Sequence, residues 1–238
     1  MATKIFLKDT AATQAVTGQT GQFVRKMDLT QGSSAVTYKK IVPNGLALTP
    51  PTDQASWSKY EGSQPVTWMS EPLTGFTCSG TVTFNMRALE SAATCNVTVT
   101  AELYRCDING VIISTIGTAT LGRAELTTSE AANNWTLTPT STTLSNGDRL
   151  ACRVFIDDAG GNTAVGTASL VIAGATGATG DSYVQVNENI TVYSNTVQLR
   201  TQTGKASIAV DGLIPPTGTT TGALRAQTGV GAASAAAH

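Results

Sequence analysis

Apolar and polar residues alternate in short runs between positions 66 and 173, the period-two pattern of strands with one face on a core. In residues 81–87, Val82, Phe84 and Met86 share one face while Thr81, Thr83, Asn85 and Arg87 take the other. Residues 95–105 repeat the pattern with Cys95, Val97, Val99, Ala101 and Leu103 inward, and residues 149–156 with Leu150, Cys152, Val154 and Ile156 inward. Further runs lie at 134–138 and 167–172. Asn109 and Gly110 form a hairpin signal, and segments 145–148 and 158–162 carry the Gly, Asn and Asp that turns use. Short strands separated by turn signals predict an antiparallel β-sandwich, with jelly-roll topology favoured over an immunoglobulin-like order.

Outside this domain, residues 66–173, the pattern thins. Residues 1–65 offer one strand at 4–7, another at 36–41, and a loop with Pro43, Pro50 and Pro51. They read as an N-terminal arm with edge strands that partly joins the sandwich. Residues 174–181 place Gly at every third position without Pro, which favours a linker over a collagen-like repeat. Residues 182–214 suggest a few short strands. Residues 215–238 are rich in Gly, Thr and Ala and cannot bury enough apolar surface to offset chain entropy, so a neighbouring subunit is expected to hold them. The expectation is an all-β chain with extended N- and C-terminal segments.

Composition sharpens this picture. Charged residues are 13% of the 238, so the surface is mostly hydroxyl and backbone and self-association is weakly opposed. A formal net charge of -1 gives no field for a polyanion or an anionic membrane, and neither nucleic acid nor membrane is expected as a partner. Residues 1–40 are locally basic, with Lys4, Lys8, Arg25, Lys26, Lys39 and Lys40 against Asp9 and Asp28. An ordinary solvated segment explains this more simply than a docking element. No run reaches the ~18 apolar residues of a membrane helix, and the first residues lack a signal-peptide core, so synthesis and folding in the cytoplasm are expected.

Candidate chemistry is sparse. The single histidine is His238, at the end of the low-complexity segment, so neither an imidazole-based nucleophile system nor an imidazole metal site is expected. No glycine-rich phosphate loop stands between a strand and a helix, and no cofactor is expected. Asp157, Asp158 and Asn162 are oxygen ligands of the kind Ca²⁺ takes, and Glu61, Glu71 and Glu90 are carboxylates of the kind a glycosidase pairs. A polar hairpin turn and scattered surface acids are the simpler readings. Cys78, Cys95, Cys106 and Cys152 form no CxxC; a reducing compartment favours buried free thiols, and maturation outside the cell would allow a disulfide. Together these features predict a protein without catalytic activity.

Five aromatic residues are candidates for stacking on a partner: Trp57, Tyr60, Trp68, Tyr104 and Trp135. Trp68 shares strand parity with Val66 and Trp135 alternates with Leu137, which points both to packing. Trp57 and Tyr60 lie in a loop-like stretch and are the expected partner contacts. Val210, Leu213, Ile214, Leu224 and Val230 are the anchors expected in the C-terminal segments.

The segments at 68–73, 80–84, 104–110, 144–150 and 157–161, running from Trp68 to Gly161, resemble minor virion structural proteins of tailed bacteriophages. The resemblance covers about residues 66–172. It implies a β-sandwich displayed on a capsid or tail, homo-oligomeric, with terminal extensions that bind other virion subunits. Capsid decoration is the leading expectation; a tail- or fibre-associated adhesin for host-surface carbohydrate is the alternative. No functional residue carries over from the resemblance.

Overall fold

The computed structural model describes residues 2–17, 24–32, 35–42, 55–56, 67–121, 125–159, 165–172, 181–194, 199–202 and 205–208. The chain divides into two compact units, Met1–Ser194 and Asn195–His238. Along the first run β1 (Thr3–Ala11), β2 (Val24–Asp28), β3 (Val36–Val42), β4 (Ala55–Ser56), β5 (Thr67–Ser70), β6 (Phe76–Cys78) and β7 (Val82–Glu90). After a 3-10 turn at Ala93–Cys95 come β8 (Val97–Cys106), β9 (Ile112–Thr120), β10 (Ala131–Leu137), β11 (Thr142–Leu144), β12 (Arg149–Asp158), β13 (Gly166–Ile172) and β14 (Tyr183–Val186). The second unit contributes a described antiparallel pair, β15 (Leu199–Gln202) with β16 (Lys205–Ile208).

The all-β expectation holds. Twelve strands form one continuous ladder along the path β3-β13-β7-β14-β1-β2-β5-β12-β8-β9, with β10 also on β7 and β4 also on β12. A separate pair joins β6 to β11. Among the described pairings only β2 with β5 is parallel.

Two strands are junctions, because a strand has two edges and each of these serves more than two neighbours. β10 runs along β7 from Val82 to Ala88, so β14 at residues 83–85 and β13 at 87–90 share the opposite edge. Likewise β8 covers β12 over its whole length, while β5 and β4 follow each other on the far edge. The β-branched run Val97, Thr98, Val99 and Thr100 suits β8 to this central place. The expected inward sets are indeed buried, and Thr98, Thr100 and Ala151 on the alternate positions are buried too.

The ladder curls until β10 meets β9. The Trp135 indole Nε1 donates to the Ala119 carbonyl at 3.0 Å, and the ring stacks on Phe84 with centroids 5.4 Å apart. Leu137 rests on Gly117, where a Cβ would come within 2.7 Å of its side chain. The core between these layers includes Trp68, Phe84, Met86, Leu103 and Val154. Tyr38 fastens β3 to it: the ring meets Trp68 edge-on at 5.5 Å, and its hydroxyl donates to Asp9 Oδ1 at 2.5 Å. All four cysteines are buried free thiols, and burial pushes the Cys78 and Cys106 pKa values up to about 12.

β9 carries two irregularities. Leu103 pairs with Gly117 and Tyr104 with Thr115, leaving Ile116 as an extra residue; Arg105 pairs with Ser114 and Cys106 with Ile112, leaving Ile113 as another. A bulge re-aims the residue it inserts. Ile116 is fully buried and its carbonyl accepts Thr140 N at 3.1 Å, whereas Ile113 is 48% exposed. Gly110 in the preceding turn has φ +78, and a Cβ there would lie 2.1 Å from the Ala15 carbonyl oxygen, so the turn depends on glycine twice over.

Candidate functional site

One end of the body concentrates charge where β2, β5 and β12 meet. Met27 pairs with Ser70 across the parallel β2–β5 contact, and Lys26, Asp28 and Glu71 flank that pair in sequence. Lys26 Nζ reaches Asp28 Oδ2 at 3.0 Å and Glu71 Oε1 at 3.3 Å. Arg149, at the start of β12, lies 3.9 Å from Glu71 Oε2, and Thr13 donates to the same oxygen at 3.3 Å. Buried Arg149 also donates to the carbonyls of Ser70 at 2.9 Å and Ile108 at 3.1 Å.

These contacts set the electrostatics. The Asp28 hydrogen bond, aided by Glu71, outweighs burial and raises Lys26 above its ordinary pKa. Burial opposes ionisation of Asp28, but Lys26 and the Thr30 amide outweigh it and hold the carboxyl below its usual value. Burial lowers the pKa of Arg149, partly offset by Glu71. The alternating series Asp28, Lys26, Glu71, Arg149 therefore neutralises itself and braces two strands and two loops. Beside it, Ile5, Met27, Leu29, Leu73 and Val192 wall a cavity of ≈ 10 Å³ with Asp28, Ser70 and Glu71 at its polar side. That is about the room of one water molecule, far too small for a sugar ring.

Of the carboxylates weighed from sequence, Glu71 is committed to this brace. Glu90 sits elsewhere, at the end of β7, with 1% exposure and its Oε2 accepting from Val97 N at 3.3 Å. Burial, with the neighbouring Glu125 carboxyl, raises its pKa to about 7. Glu61, Asn162 and the side chains of Asp157 and Asp158 lie outside the described residues. Among those described, no group of three or more His, Cys, Asp and Glu is placed to hold a metal.

The aromatic candidates separate. Trp68 is fully buried and Trp135 is 7% exposed, both in the core as their parity implied. Tyr104 is half-buried on β8, its hydroxyl donating to Glu102 and its ring covered by the Arg153 guanidinium at 5.5 Å. Trp57, Tyr60, Val210, Leu213, Ile214, Leu224 and Val230 lie outside the described residues. Sequence reasoning missed Arg149, whose partners come from loops distant along the chain, and Ile113, whose exposure depends on a bulge that period-two patterning cannot register.

A scan against protein-family models gives no match, and no curated protein matches the sequence. Among solved structures, an aminopeptidase from a marine-sediment Thaumarchaeota archaeon is similar over 80% of this chain and 37% of its own, at 10% identity and a TM-score of 0.52. A CocE/NonD family hydrolase from Staphylococcus aureus is similar over 78% and 36%, at 11% identity and a TM-score of 0.47. The chain thus spans little more than a third of the length of these two proteins, and its likeness to the aminopeptidase is one of fold. It corrects the expectation of a protein without catalytic activity. That expectation rested on residue types alone, and the aminopeptidase carries the same fold within a longer chain, so an all-β body poor in histidine is no ground for excluding enzymes.

Proposed function

We propose that the chain is a structural subunit of a virus particle, in the leading form a decoration or stabilising protein on a tailed-phage capsid held by neighbouring virion subunits. One observation carries the reading: the bulge in β9 turns Ile113 outward on a strand, Ile112–Thr120, that has neither a charged residue nor a proline. Val111 beside it is 42% exposed. Strand edges left to solvent are commonly guarded by lysine, proline or inward charge. The later part of this edge is taken, with the Ile116 and Ala119 carbonyls accepting from Thr140 N and Trp135 Nε1, and its uncharged start, where Val111 and Ile113 are exposed, is suited to a surface that another subunit covers. In this reading Val210, Leu213, Ile214, Leu224 and Val230 remain the proposed anchors of the C-terminal segments.

The test is Ile113→Lys. The variant is expected to fold, with a stability change within about 0.5 kcal/mol as for an exposed site, and to be lost from purified particles by immunodetection. Full incorporation of the folded variant would sink the reading.

The aminopeptidase likeness favours a second reading, in which the body is a module of a larger hydrolase. Hydrolysis of aminoacyl amides by the purified chain would favour it.

A further inference from the structure

β9 ends the ladder, so one of its edges faces away from β8. From Ile116 onward that edge is engaged, but its start is not. Ile113 pairs with no residue of β8, and among the described residues no hydrogen bond takes positions 112–115 on the outward side. Val111, Ile113 and Thr115 are exposed while Ile112 and Ser114 are half-buried. Three β-branched side chains therefore line one face at a spacing of two.

Charge selects the partner. When a strand edge pairs with a second copy of itself about a two-fold axis, the axial residue meets its own copy and the flanking residues exchange places. A charge near the axis is then set against its like, which is destabilising. β3 shows the excluded case: Lys39 is exposed at the middle of Val36–Val42 and would face itself. β9 has no charge to repel. The charged groups beside its start are committed elsewhere. Asp107 Oδ1 accepts from Asn109 N at 2.9 Å and Val111 N at 2.8 Å, and Arg105, opposite Ser114, donates to Asp148 at 2.7 Å. An edge of this kind offers nothing to fix an acidic or basic partner, and it matches another uncharged edge. A formal net charge of -1 on each chain adds little repulsion between two copies.

We propose that the start of β9 pairs with the start of β9 in a second copy of the chain, antiparallel about a two-fold axis at Ile113. Ile113 then packs on its own copy, and Val111 lies opposite Thr115 on each side of the axis. This pairing rests on the reading of β9 as an interface and names the subunit that covers it. Five residues from each chain make a small contact, below the ~1,200 Å² of stable complexes, so free chains associate weakly. Copies held side by side on one particle pair more firmly, because the second contact becomes intramolecular.

The experiment is oxidative cross-linking of the full chain carrying Ile113→Cys, Val111→Cys or Thr115→Cys. All three positions are exposed, so each variant is expected to fold, and the four native cysteines are buried free thiols that stay inert. Directly opposed residues bring their Cα atoms about 4.5–5.5 Å apart, within the about 4.4–6.8 Å that a disulfide spans. Val111 and its own copy stand four residues apart along the pair, about 13 Å, which no disulfide bridges. Ile113→Cys is therefore expected to dimerise at least about tenfold faster than Val111→Cys, although the two sites are similarly exposed, at 48% and 42%. Mixed Val111→Cys and Thr115→Cys chains are expected to join to each other in preference to either like pair. Equal rates for the three variants, the behaviour of chance collision, would overturn the pairing, as would cross-linking led by Val111→Cys. If cross-linking shows no preference but Ile113→Lys is still lost from particles, self-pairing falls and the capsid reading stands with another protein on β9. The reverse outcome, selective cross-linking with full incorporation of Ile113→Lys, supports the pairing and sinks the capsid reading alone.

Discussion

β3 and β9 end the same ladder but are finished in different ways. β3 runs Val36–Val42 with Lys39 exposed and Lys40 beside it, and is pinned through Tyr38 to Trp68 and Asp9. β9 has no charged residue; it is interrupted by two bulges, one sending Ile116 into the core and the other sending Ile113 out. Both arrangements prevent a regular open edge, the first by charge and the second by geometry. The second also leaves a large apolar side chain, Ile113, in solvent. The comparison teaches that a sheet can finish its two ends by different means, charge at one and register shifts at the other.

The largest test of this contrast is at the pin. Trp68→Ala removes a fully buried ring, its Nε1 hydrogen bond to the Lys8 carbonyl at 3.1 Å and the face on which Tyr38 rests. A loss of about 3–5 kcal/mol is expected from denaturant unfolding, as for buried aromatic truncations generally. A loss below about 1 kcal/mol would mean that β3 is not held through the core.

A smaller effect isolates the hydroxyl. Burial first, and Asp9 second, raise the Tyr38 pKa far above its ordinary value, so it remains a donor at any working pH. Tyr38→Phe is expected to cost about 1.5–3 kcal/mol, the range for a hydrogen bond to a charged group. Amide exchange in β13, which pairs with β3 from Val36 to Val42, is expected to rise with it.

The smallest effect belongs to the charged brace. Lys26 and its two carboxylate partners are each about one-quarter exposed, at 28% against 25% for Asp28 and for Glu71. Solvent screening limits such pairs to about 0.2–1 kcal/mol, so Lys26→Met is expected to lower stability by no more than that. The difference is expected to shrink in 1 M salt, where the Debye length is about 3 Å.

These elements were legible in the sequence to different degrees. Val82, Phe84 and Met86, or Leu150, Cys152, Val154 and Ile156, are buried as alternation requires, because one covered face imposes period two whatever the partner strand. Asn109 and Gly110 announce their turn through the backbone freedom that Gly110 uses at φ +78. Pairing across long separations left no such mark. β1 joins β14 with Thr3 opposite Val186, and β2 joins β5 in parallel; neither follows from a local pattern. The brace was illegible for the same reason: Lys26, Glu71 and Arg149 read as ordinary strand-end charges until the fold brings them together. The exposure of Ile113 follows from a register shift against β8, and register is a property of two strands rather than of one.

The central claim is that β9 is an interface, and a density map of the assembled particle at a resolution that traces strands tests it most directly. The account predicts density from a neighbouring subunit within contact distance of Val111 and Ile113, while Lys39 on β3 faces solvent. A fully occupied particle in which Ile113 faces solvent and the neighbours contact only other surfaces of the chain would contradict it.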